Sequence, residues 1–135
     1  METTPVQERT HVATRRILVV EDMPINQEVL SAMLRAFGHE PIVVGSGPAA
    51  LALLNVDTFD LVLMDWHMPG EDGLETTRRF RQLEESRGGR RTPVVIVTAS
   101  AFAHEVAACV AVGADSHLAK PYRMEELKDM VDRWT

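Results

Sequence analysis

Cysteine is almost missing from this chain. Cys109 is the only one in 135 residues. That excludes an internal disulfide framework and suits a reducing cytosol. Lysine is nearly as scarce: Lys120 and Lys128 stand alone, and the other basic residues are arginines. Positive charge is in deficit overall, with 14 basic residues against 20 acidic and a net charge of −6. A sequence-independent nucleic-acid binder needs a basic face, so that class is disfavoured. No apolar run approaches the ~20 residues of a membrane span. The N-terminus has no apolar signal-peptide core. Low-complexity tracts are absent, and the only repetition is an alternating pattern of elements. What is left is an ordinary globular composition, 45% hydrophobic and 25% charged, at a length that suits one domain with a real core.

Residues 1–15 are polar and aperiodic and read as a mobile tail. From Arg16 to Thr135 short apolar runs alternate with helical spacing. "ILVV" (17–20), "PIVV" (41–44), "DLVLM" (60–64), "VVIV" (94–97) and about Ser116 to Ala119 read as strands, most of them buried on both faces. The first helix has Pro24 in its first turn, the stripe Ile25, Val29, Leu30, Met33, Leu34 and Phe37, and Gly38 as its close. A short helix opens at Ser46-Gly47-Pro48 and runs through Leu54. A third spans about Gly73 to Ser86. The stripe Phe102, Val106, Cys109 and Val110 marks a fourth, ending at Gly113. Met124, Leu127, Met130, Val131 and Trp134 mark the last. The Met and Val stripes are expected to pack in the core.

This alternation gives a parallel sheet with helices on both faces and right-handed crossovers. Ligands in such sheets sit outside the carboxyl ends of the strands. Those ends carry Glu21 and Asp22 after strand one, Asp65 after strand three, Thr98 with Ala99 and Ser100 after strand four, and Lys120 with Pro121 after strand five. Strand two ends in Val44-Gly45-Ser46, with nothing ionisable. Asp65 taken alone would read as a helix cap. Taken together, three carboxylates, a hydroxyl and an ammonium converge on one rim.

Clustered carboxylates repel one another unless a positive group binds. Carboxylates from two segments suit a hard cation that keeps its waters, hence Mg²⁺. An aspartate can also act as a nucleophile towards a phosphoryl group. That chemistry needs a metal, a lysine and a hydroxyl donor. The turn-rich Met68-Pro69-Gly70 segment is expected to leave room above Asp65.

At "ILVVED", "LVLMDWHMPGEDGLE", "VIVTAS" and "HLAKP", in that order and each at a strand end, the chain resembles the receiver domain of two-component response regulators, from about Arg16 to Trp134. "EDMPINQEVL" and "RRTPVVIVTAS" look most like the receivers of hybrid histidine kinases. The resemblance implies a flavodoxin-like α/β fold, a doubly wound five-stranded parallel sheet in the order 2-1-3-4-5 with five helices. It implies Asp65 as phosphoacceptor, Asp22 and Asp65 as direct Mg²⁺ ligands, Glu21 as a ligand through water, and the backbone carbonyl of His67 as a further ligand. Thr98 would donate to the phosphoryl group and move towards it, and Lys120 would pair with a phosphoryl oxygen. A cis Lys120-Pro121 bond is also implied. The phosphodonor would be a sensor histidine kinase or a histidine-phosphotransfer protein, in the cytoplasm. Nucleic-acid binding by this domain is not expected.

His117 departs from the family, which usually carries Tyr or Phe three residues before the lysine, as a switch coupled to the threonine. An imidazole is smaller and can be charged. Trp66 and His67 are individual choices beside the acceptor and are expected to bear on access of water. A receiver-like module that binds partners without phosphorylation stays open as an alternative. An aspartyl-phosphate phosphohydrolase of the haloacid-dehalogenase kind would want a second Asp where His67 stands. A flavodoxin would want a hydroxyl-rich loop where "EDMPIN" stands. His104, Cys109 and His117 fit no metal-ligand spacing. "RGGRR" (87–91) reads as a solvated loop. No output domain follows the last helix, so a stand-alone receiver and a fragment of a hybrid kinase are both open, as is the oligomeric state.

Overall fold

The structure, a computed structural model, describes residues 13–68, 71–99 and 102–135, with Glu71 described for its backbone only. The expected tail lies outside the described residues up to position 12. Arg15, near its end, has both backbone groups bonded: its N–H donates to His39 Nδ1 at 3.1 Å and its carbonyl accepts from the Glu40 N–H at 2.9 Å.

Five strands form one parallel sheet: β1 (Arg16–Val20), β2 (Glu40–Val44), β3 (Leu61–Asp65), β4 (Val94–Thr98) and β5 (Ser116–Ala119). Their order is β2-β1-β3-β4-β5, as the resemblance implied. The five helices found among the described residues are α1 (Pro24–Ala36), α2 (Gly47–Val56), α3 (Gly73–Arg87), α4 (Ala103–Ala111) and α5 (Met124–Trp134). Helix starts follow local chemistry. Pro24 needs no N–H partner at the head of α1. Ser46 caps α2 by accepting from the Ala49 N–H, and Asp72 caps α3 by accepting from the Leu74 N–H. Pro41 sits on β2, an edge strand, where its missing N–H does least harm.

Alternation along the strands divides the core in two. Leu18, Val20, Val62, Met64, Val94 and Ile96 face α2, α3 and α4, meeting Ala50, Leu54, Phe80 and Cys109. Ile17, Val19, Leu61, Leu63, Val95, Val97 and Leu118 face α1 and α5, meeting Leu30, Leu34, Leu127 and Val131. Each fully buried aliphatic side chain contributes about 1.5–3 kcal/mol. At the end of the sheet away from the acidic residues, Arg81 of α3 is a node. It donates to the carbonyls of Gly113 and Thr92 and to the carboxylates of Glu84 and Asp115, at 2.6–2.9 Å.

Two expectations need correcting. Asp65 is the last residue of β3, not the residue after it. The turn-rich segment after it is bracketed by a short hairpin: His67–Met68 pairs antiparallel with Glu71–Asp72, and Met68 is buried in the core. Pro69 and Gly70 lie outside the described residues. The apolar stripes are also wider than the buried faces. Ile25, Val29, Phe102, Val110 and Met124 are exposed. On α1, Ile25 and Val29 lie about 140° and 100° round from buried Leu30, beyond the face the sheet covers. Among the described residues, no helix is long and apolar enough to cross a membrane.

Candidate functional site

The carboxyl ends of β1, β3, β4 and β5 bring the expected residues to one rim. Glu21 follows β1, and its N–H continues the ladder by donating to the Val44 carbonyl at 3.1 Å. Its side chain is buried, 2% exposed. Glu21 Oε2 accepts from the Met23 N–H at 3.1 Å and lies 3.5 Å from Asn26 Nδ2. Asp22 is half-buried beside it. Asp65 ends β3 and is 7% exposed. Glu21, Asp22 and Asp65 each offer an oxygen within 4.8 Å of the others.

Lys120 crosses over from the end of β5. Its Nζ stands 3.3 Å from Asp65 Oδ1 and 3.8 Å from Glu21 Oε1. Its backbone N–H donates to the Thr98 carbonyl at 2.7 Å. The Lys120-Pro121 peptide is cis, as the resemblance implied. Thr98 is buried at the tip of β4, one register step beyond Asp65. Ser100, its expected neighbour at the rim, lies outside the described residues.

Burial pushes the Asp65 carboxyl up from the ordinary carboxylate range. Lys120 draws it down by charge and hydrogen bond, and Asp22 pushes it up again. Burial likewise raises Glu21. The Met23 N–H draws it back, while the Asp65 charge raises it further. Burial and the Glu21 charge push the Tyr122 hydroxyl up to about 12. Three clustered carboxylates facing one ammonium leave a surplus of negative charge, which a hard divalent cation fits.

His117 pairs in register with Ile96, and Ala119 with Thr98. Parallel partners share a face, so His117 and Thr98 lie on the α4 side of the sheet. His117 is half-buried there. Trp66 is mostly core, 8% exposed, and its backbone N–H donates to the Val97 carbonyl. The exposed ring of His67 stacks on the indole, with centroids 5.1 Å apart. His104, Cys109 and His117 form no metal-ligating group among the described residues.

Sequence reasoning missed Gly73. A Cβ there would sit on the Asp65 carbonyl oxygen and 3.0 Å from its carbon. The Gly73 N–H donates to the Trp66 carbonyl at 2.7 Å. So α3 starts hard against the backbone that carries Asp65. A glycine just inside a helix, where it is a poor helix former, was the available signal. A groove of about 290 Å³ was also missed. It opens beside Glu21 and Lys120, between α1 and Tyr122, and is lined by Asn26, Val29, Leu30, Met33 and Pro121.

Known proteins share this arrangement. The sensor histidine kinase GacS of Pseudomonas protegens is 39% identical over 120 residues, which cover 89% of this chain and 13% of GacS. The sensor histidine kinase RcsC of Salmonella typhi is 42% identical over 112 residues, 83% of this chain and 11% of RcsC. The chain thus spans little more than a tenth of the length of these relatives. Among solved structures, the receiver domain of the sensor histidine kinase PA1611 from Pseudomonas aeruginosa is 37% identical. It superposes with a TM-score of 0.80 over 90% of this chain and 98% of its own, and has a magnesium ion coordinated in its active site cleft. The chemotaxis protein CheY4 of Vibrio cholerae superposes with a TM-score of 0.83 at 27% identity, covering 91% of this chain and all of its own. Residues 17–132 match the response regulator receiver domain, and the chain belongs to that family, the receivers of two-component signalling.

Proposed function

We propose that this domain is the phosphoacceptor switch of a two-component phosphorelay, with Asp65 as the acceptor and Mg²⁺ as its cofactor. The observation that carries the reading is the meeting of Glu21, Asp22 and Asp65 within 4.8 Å, with Lys120 Nζ 3.3 Å from Asp65 Oδ1. An Asp65 carboxylate oxygen forms a bond to phosphorus as the phosphorus–nitrogen bond of a phosphohistidine breaks. The electron pair of that bond returns to the imidazole nitrogen, and the histidine leaves as neutral imidazole, either because its second nitrogen already carries a proton or because the vacated nitrogen takes one from water. Asp22 and Asp65 would hold Mg²⁺ directly, Glu21 through water, and the His67 carbonyl would complete the protein ligands. Bound there, the ion supplies charge neutralisation to the phosphoryl oxygens.

Lys120 would exchange its contact with Asp65 for one with a phosphoryl oxygen. A compact ammonium suits that single contact. Thr98 would donate its hydroxyl from the tip of β4. Its movement would be felt by His117, on the same face one step along β5. The donor is a histidine-phosphorylated partner, a sensor kinase or a phosphotransfer protein. On this reading the domain assists its own phosphorylation and dephosphorylation and turns over no separate substrate.

The test is intact-mass measurement after incubation with acetyl phosphate and MgCl₂. One phosphoryl group, labile to hydroxylamine, should appear, and it should vanish with EDTA and in Asp65→Asn. A labile phosphoryl group still present on Asp65→Asn would remove Asp65 as the acceptor.

A further inference from the structure

The acidic turn after β1 is held in place by a residue that takes no part in charge neutralisation. Gln27, in the first turns of α1, reaches back six residues, and its Nε2 donates to the Glu21 carbonyl oxygen at 2.6 Å. We infer that Gln27 is a positioning residue that sets the aim of Glu21 and Asp22 towards a shared cation.

The peptide linking Glu21 to Asp22 is planar, so fixing its oxygen fixes the plane from which both acids project. The other groups of Glu21 are occupied as well. Its N–H is on Val44, and its carboxylate takes the Met23 N–H. At the head of α1 the N-cap, Met23, makes no side-chain cap of its own. The turn is therefore held by Glu21 from one side and by Gln27 from the other.

The residue type follows from charge. A neutral amide donates to the carbonyl and leaves the negative surplus of Glu21, Asp22 and Asp65 undiminished. A lysine or arginine would donate too, but would compete with the cation. A glutamate would add attraction for the cation, but its carboxylate would repel the carbonyl oxygen. Aim and charge can thus be separated by mutation.

The inference rests on the cation reading of this cluster. The experiment measures Mg²⁺ affinity by titration calorimetry for the unmodified chain, Gln27→Met and Gln27→Glu, with melting curves in EDTA as a check on folding. Loss of an outer-shell partner commonly weakens metal binding about 10–100-fold. Both variants should bind Mg²⁺ at least about tenfold more weakly, Gln27→Glu included, despite its extra negative charge. Gln27→Met binding as tightly as the unmodified chain, or Gln27→Glu binding more tightly, overturns the inference. If a variant fails to fold, the unmodified chain still decides. The Nε2 protons of Gln27 should exchange with solvent more slowly in NMR than those of exposed Gln82, and equal exchange overturns the contact. Failure of the unmodified chain to bind Mg²⁺ would overturn the cation reading, while the exchange measurement would still report on Gln27 itself.

Discussion

Lys120 and Asp65 stand 3.3 Å apart although β4 lies between their strands and 55 residues separate them. The ammonium reaches across the top of the sheet to two buried carboxylates. Without metal, burying those acids together costs stability. In EDTA at neutral pH, Asp65→Asn should therefore melt higher than the unmodified chain, and Lys120→Met should melt lower. In the Asp65→Asn background the lysine substitution should cost less. The coupling should be about 1 kcal/mol, at the modest end because the Lys120 side chain is 33% exposed. Additive effects of the two changes would mean that the ammonium does not offset the acid.

Gly73 meets Asp65 from the other side. Alanine is the better helix former by about 1 kcal/mol, so an unhindered Gly73→Ala would stabilise α3. Here the methyl would overlap the Asp65 carbonyl. Overpacking costs about 1–3 kcal/mol and should win. Urea denaturation should show a net loss, and phosphorylation should slow as Asp65 is displaced. A gain in stability would mean that α3 slides freely at its start.

His39 links pH to stability. It is 5% exposed, and its Nδ1 accepts the Arg15 N–H. Burial holds its pKa below the ordinary 6.5. Asp132 and Asp60 pull it up, while Arg15 and Lys128 push it down. A protonated Nδ1 cannot accept that bond. Just below pH 6.5 the unfolded chain therefore binds more protons at this site than the folded one. Stability should fall as pH drops through the ordinary histidine range, and this contribution should level off below the folded value. His39→Gln keeps an acceptor without the titration. Its stability between about pH 7.5 and 5 should vary less, as read by urea midpoints. Equal slopes would clear His39.

Arg81 ties α3 to the approaches of β4 and β5 through four acceptors, with its side chain 13% exposed. Arg81→Met should cost about 1.5–3 kcal/mol, since it removes a charged donor from half-buried Glu84 and Asp115, which keep only the Thr92 N–H on one and Arg91 and the Val94 N–H on the other. Arg81→Lys should recover little, because one ammonium cannot replace a planar fork. Phosphorylation of the surviving folded fraction should be unchanged, as the node lies at the far end of the sheet. Denaturation and intact mass on the same samples separate the two effects.

Transmission from the rim can be followed along β5. With beryllofluoride as a phosphoryl mimic, amide shifts should extend beyond the Asp65 loops to Ser116–Ala119 and α4, because Thr98 and His117 share a face. His117→Tyr should alter the shifts in α4 more than those at the rim. Shifts confined to the loops in both proteins would mean that the site does not speak to α4.

The sequence carried the strands and the rim because both rest on local signals, whereas the sheet order came from the family resemblance. Apolar runs mark the strands, and Glu21, Asp22, Asp65, Thr98 and Lys120 each stand at a strand end. What it hid depends on distances between elements. That Gly73 touches the Asp65 backbone, that Gln27 turns back to Glu21, and that Arg81 gathers four acceptors are facts of packing. The exposure of Ile25 and Val29 was hidden for a related reason: a helical stripe shows which residues are apolar, but not how much of the cylinder the sheet covers.

Cys109 is the sole thiol, 3% exposed on the buried face of α4, and burial raises its pKa. A buried, protonated sulfur is inert towards alkylating reagents until the cover opens. Its labelling rate under native conditions is therefore a clock for the lifting of α4 from the sheet, wound into the chain without any engineered probe. Phosphorylation that tightens or loosens α4 would change the tempo of that clock, readable by mass on the untagged protein.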